Sequence, residues 1–148
     1  MRAGIWAVLA AMSVVLPMVA AAEQPIVKTP DEIRFSGLAG AVQTTVLYGD
    51  PAKPGLYVMR YKFPAGAKLP PHSHPDRGRT VAVLSGTLYY SSGDIWDEAK
   101  LRPLPAGTFF TELPDEPHFA WARDGEVVLQ LTSIGPTGTT FVKKPEQN

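Results

Sequence analysis

The chain has 148 residues, with 14 basic and 14 acidic side chains and no cysteine. That length allows one domain and argues against two. The lack of cysteine excludes disulfides, thiolate metal ligands, covalent haem and a thiol nucleophile, and without a basic tract interleaved with aromatics nucleic acid is excluded as a natural partner. Arg2 is followed by an apolar run from Ile5 through Leu16, then Pro17 and the small residues Ala20, Ala21 and Ala22 before Glu23. This is the order of a secretory signal peptide, and the run is short for a transmembrane helix. Residues 1–22 are expected to be removed, with cleavage after Ala22 or Ala21. The product is then an exported protein, periplasmic or secreted, with no stable membrane insertion. An uncleaved anchor is the alternative. The mature chain keeps 126 residues, enough for one modest core.

Fifteen prolines and thirteen glycines separate short apolar runs, a pattern of strands and turns with no room for a long helix. Residues 23–40 read as an N-terminal arm, residues 41–142 as one domain and residues 143–148 as a polar tail. The first strand is expected over Ala41–Leu47, ended by Gly49-Asp50-Pro51. Leu56–Phe63 follows, with Tyr57, Met59, Tyr61 and Phe63 on one parity and Arg60 and Lys62 on the other, as in a half-buried strand. Thr80–Leu84 and Thr87–Ser91 are expected to pair across Ser85-Gly86. Asp94–Lys100 suits a single helical turn or an ordered loop, and Pro103–Gly107 a turn. Strands are then expected over Thr108–Leu113, His118–Ala122, Val127–Thr132 and Thr139–Val142. Eight to ten short strands fit an all-β sandwich or barrel.

All three histidines of the chain fall where a metal site wants them. His72 and His74 are two apart, so an extended backbone turns both imidazoles to one face, while His118 opens a later strand. Neutral imidazoles suit manganese, iron, nickel, copper or zinc, and the lack of thiolates argues against a closed structural zinc site. On its own a His-x-His pair is weak, since two surface histidines in a proline-bounded loop read the same way.

The surroundings strengthen it. Gly66-Ala-Lys-Leu-Pro-Pro-His72-Ser-His74, with Gly86 after eleven intervening residues, resembles the first motif of the cupin superfamily, and Pro105-Ala-Gly107 followed by His118 resembles the second with a longer gap. The likeness runs from about Leu56 to Leu131. It implies a double-stranded β-helix, or jelly-roll barrel. In that family the histidine pair, a glutamate and the later histidine bind one divalent metal. Here the glutamate position holds Arg79, and arginine has no lone pair to offer a cation. Either the barrel binds no metal or another carboxylate fills the vacancy. Glu112, at the end of a predicted strand, is the candidate fourth ligand, with the start of an exposed turn as its alternative role. Asp76 is expected to face outward in its Pro-Asp-Arg-Gly loop.

Arg79 shares parity with Val81 and Val83, so it either orients Glu112 or grips an anionic substrate in a bidentate fork. Acid–base work would fall to Glu112, Tyr61 or water. Gln130 is a further polar pocket candidate, and Tyr57, Met59, Phe63, Phe110, Phe119 and Trp121 are expected in the cavity and core. Adjacent Phe109 and Phe110 cannot both point inward, and an exposed aromatic would favour a homodimer. Three functions stay open: a metal-dependent enzyme of oxygenase or lyase type acting on a small, anionic molecule; a non-catalytic ligand- or metal-binding module; and a structural barrel with a vestigial site.

Overall fold

The computed structural model describes residues 24–143, so the expected signal peptide and the tail beyond residue 143 lie outside the described residues. Among the described residues ten strands form two five-stranded sheets. In chain order they are β1 (Gln43–Tyr48), β2 (Gly55–Phe63), β3 (Lys68–Ser73), β4 (Arg77–Ser85), β5 (Thr87–Ser92), β6 (Arg102–Pro105), β7 (Phe109–Glu112), β8 (His118–Trp121), β9 (Val127–Gly135) and β10 (Thr140–Phe141). The first sheet runs β1-β2-β9-β4-β7 and the second β10-β3-β8-β5-β6, with every pair antiparallel. Single 3₁₀ turns lie at Pro30–Glu32 and at Glu98–Lys100, the latter capped by Asp97 accepting from the Ala99 amide at 3.0 Å. Among the described residues no helix is long and apolar enough to cross a membrane.

Alternation places the core as the period-two pattern predicts. Tyr57, Met59 and Phe63 of β2, Val81 and Val83 of β4, and Val127, Leu129 and Leu131 of β9 are buried on the inner face of the first sheet. Their neighbours Arg60 and Gln130 pair on the outer face, where Arg60 Nε donates to Gln130 Oε1 at 3.0 Å. Gln130 is therefore not a pocket residue. Phe110 packs against the core whereas Phe109 is 67% exposed, so the two aromatics do split between faces.

Three expectations about the strands are corrected. Thr80–Leu84 and Thr87–Ser91 do not pair, because the chain leaves the first sheet at Ser85-Gly86 and enters the second. Gly86 makes that corner with φ of 76°, and a Cβ there would meet the Glu126 carbonyl oxygen at 2.3 Å, so no other residue fits. The segment beginning at Pro103 is not all turn: Arg102–Pro105 forms β6. It is an edge strand, where a proline's missing N–H leaves no ladder bond unmade. Phe119 is fully buried as expected of a core residue, but neither it nor Trp121 lines the cavity. With His118 and Ala120 facing inward, parity sends Phe119 and Trp121 to the outer face, where Trp96 covers them at centroid distances of 5.2 and 6.5 Å.

Candidate metal centre

Strand pairing assembles the histidines. His72 on β3 and His118 on β8 are direct cross-strand partners, and His74 follows just beyond the end of β3. The Pro70-Pro71 pair interrupts the ladder between Leu69 and His72, and the register shifts there. All three imidazoles are buried, and their ligand atoms lie within 4.8 Å of one another.

Each ring is oriented by a backbone carbonyl. His72 Nδ1 lies 2.8 Å from Pro70 O, His74 Nδ1 2.7 Å from Gly138 O, and His118 Nδ1 3.1 Å from Glu116 O. A carbonyl oxygen only accepts, so Nδ1 carries the proton in each ring and donates. The lone pair then sits on Nε2, on the far side of each ring. This is how histidine ligands are fixed by their outer partners.

Glu112 comes to the same place from the first sheet. It pairs in register with Arg79 on β4, whose Nε donates to Glu112 Oε2. The other carboxylate oxygen, Oε1, lies 3.5 Å from His118 Nε2. With the His118 proton on Nδ1, two acceptors face each other there with no donor between them. A cation between them would satisfy both, and the cluster of three histidines is compatible with a divalent metal.

Arg79 does not reach the cavity as a free cation. Its NH1 donates to Asp76 Oδ2 at 3.0 Å and approaches the Tyr57 hydroxyl at 3.4 Å. The guanidinium is engaged by two carboxylates through Nε and NH1, the arrangement expected of a residue that orients Glu112. Asp76 is the larger correction. It is buried, not outward-facing, and accepts from Tyr57 at 2.7 Å and from Thr137 at 2.9 Å. Burial acts to raise its pKa, but the Tyr57 hydrogen bond and the Arg79 charge bring it down to about 2. Two signals for this were present: Asp76 stands three residues before Arg79, and Tyr57 falls on the inward parity of β2, where a hydroxyl needs a partner.

The enclosing cavity measures about 360 Å³. Tyr61 lines it, with its hydroxyl 3.8 Å from Met59 Sδ and its pKa raised by burial. Tyr90, which sequence reasoning did not single out, stacks 5.5 Å from the His118 ring and 4.8 Å from Phe110.

Burial lowers His72 to about 4 from 6.5, and lowers His74 as well. The unfolded chain takes up the His72 proton near the ordinary value while the native metal-free protein resists it. That contribution to stability is whole above pH 6.5 and declines as pH falls toward 4. Protons also compete with a metal for the imidazoles. Occupancy followed by equilibrium dialysis is therefore expected to fall on acidification, with a midpoint below about pH 6.5. Occupancy that stays constant down to about pH 4 contradicts histidine ligation.

A two-sheet β-helix with a buried three-histidine cluster at one end of its cavity defines the class. No protein-family model matches the chain, and no curated protein matches it. Solved structures do. The RmlC-like cupin from Shewanella frigidimarina superposes with a TM-score of 0.57 at 19% identity, covering 72% of this chain and 87% of that one. KdgF from Halomonas gives 0.55 at 23% identity, covering 72% and 91%. The polyketide cyclase RemF from Streptomyces resistomycificus gives 0.65 at 13% identity, covering 80% and 86%. The chain has the double-stranded β-helix fold of these cupins.

Proposed function

We propose that this chain is a metal-dependent enzyme acting on a small molecule, with one divalent transition ion held by Nε2 of His72, His74 and His118 and by Oε1 of Glu112. The observation that carries this reading is the set of three Nδ1–carbonyl hydrogen bonds, which frees three buried Nε2 lone pairs toward one point. When bound, the ion supplies a Lewis acid or, if redox-active, an electron donor for dioxygen chemistry. Arg79 holds Oε2 of Glu112, so the carboxylate presents one oxygen and keeps its orientation. Tyr61 and Tyr90 are the tyrosines that line the cavity and supply its phenolic hydroxyls for proton transfer, whereas Tyr57 is spent on Asp76. A lyase- or cyclase-type reaction, proton transfer at a polarised oxygen-bearing substrate, uses these groups most fully, and a neighbour of the same fold is named as a polyketide cyclase. The apolar wall beside the histidines also favours an oxygenase reading, and oxygen uptake during turnover separates the two. The leader-like pattern of residues 1–22 supports an exported enzyme.

Glu112→Gln tests the ligand set. It keeps shape and removes the charge, and metal affinity measured by competition with a chelator is expected to fall at least about tenfold. Unchanged affinity removes Glu112 from the site.

A further inference from the structure

The charge and polarity of the cavity define what it can hold, granted the metal centre proposed above. The histidines, Glu112 and Arg79 occupy one end, and the rest of the wall is largely aliphatic and aromatic: Phe63, Leu69, Val81, Leu88, Leu129 and Leu131. Asp76 and Glu112 set two carboxylates against the single guanidinium of Arg79. Lys68 also borders the cavity, but its ammonium is engaged by Glu98 at 2.7 Å and sits 4.1 Å from the Trp121 ring centre, on the outer side of the second sheet. Imidazoles that ligate a metal are neutral. The protein thus contributes one net negative charge at that end, and a divalent ion turns it into one net positive charge. An unbalanced charge beside an apolar wall is unfavourable. A monoanion removes the imbalance, whereas a neutral molecule leaves it and a dianion reverses it. Away from the histidine end no lining residue offers a cation to a second acidic group.

We propose that the cavity binds a small monoanion, with a single carboxylate or enolate-like oxyanion at the histidine end and an uncharged apolar body against the aliphatic wall. The cavity volume of about 360 Å³ lies at the small end of ligand pockets, which sets the scale of the ligand. Calorimetry on metal-loaded protein tests this with acetate, butyrate and hexanoate, the matching amides, and succinate, with the metal content of the same sample measured alongside. Affinity is expected to rise about threefold to fourfold per added methylene, and to fall at least about tenfold from acid to amide, because the neutral amide leaves the positive charge unbalanced beside the apolar wall. Succinate is expected to bind more weakly than butyrate. Equal affinity for acid and amide, no dependence on chain length, or a preference for succinate overturns the proposal while leaving the metal centre standing. A sample that takes up no metal overturns the centre itself, and this inference with it.

Discussion

Arg79→Met is expected to destabilise the protein by about 3–5 kcal/mol at neutral pH, the loss typical of breaking a buried ion pair from one side. The methionine keeps most of the stem and removes the guanidinium. Asp76 then retains Tyr57 and Thr137 but loses its counter-charge, and Glu112 loses the donor on Oε2. Two nearby buried carboxylates without a cation resist ionisation together. The folded pKa of Asp76 rises in the variant, so its stability should recover as pH falls through the carboxylate range. The native protein behaves in the opposite way, because Asp76, depressed to about 2, contributes stability that is lost as pH falls through that value. Urea unfolding at neutral and mildly acidic pH measures both. A loss below about 1 kcal/mol at neutral pH, the range of an exposed pair, contradicts the structural role given to Arg79. Combining it with Asp76→Asn and Glu112→Gln should restore much of the stability, since a buried charged network replaced as a whole is often neutral. Arg79→Glu, which restores the usual cupin motif residue, should be worse than methionine because it adds a third carboxylate.

Replacing His72 and His74 together with alanine is expected to lower metal affinity by more than about 100-fold, beyond the effect of removing an outer partner of a ligand. Two of three oriented nitrogens disappear, and His118 with Glu112 cannot enclose an ion. A thermal shift distinguishes this from simple loss of packing. Saturating metal stabilises the native protein by mass action, about 4 kcal/mol at a thousand times Kd, and the variant should show no such gain. A variant less stable at baseline that still gains as much from metal contradicts the ligand assignment.

Much of this was legible from residue order. The inward parity of Tyr57, Met59, Tyr61 and Phe63 gave the core face of β2, because strand alternation is local. The His-x-His pair announced its own convergence for the same reason. His118 was legible only through the resemblance to a second cupin motif, since its partner His72 lies across a ladder between distant segments. Asp76 was misread because a proline-flanked Asp-Arg-Gly run carries the composition of an exposed turn. What buries it is Thr137 and Tyr57, both remote in the chain. The crossing at Gly86 was misread as a hairpin because a glycine between two strands marks a corner without saying whether the chain stays in one sheet. Phe119 is buried as expected, but it and Trp121 lie away from the cavity, because hydrophobic residues on both faces of β8 hide which face is inward until Trp96 is seen to cover one of them.

The central claim is that three Nε2 atoms hold one ion. The most direct measurement is elemental analysis of untagged protein reconstituted with each candidate metal, followed by anomalous scattering from crystals of the loaded form. The expected result is about one ion per chain, about 2.0–2.1 Å from Nε2 of His72, His74 and His118, with Glu112 Oε1 completing the set. No bound ion after reconstitution, or an ion held at Nδ1 or away from the histidines, would contradict it.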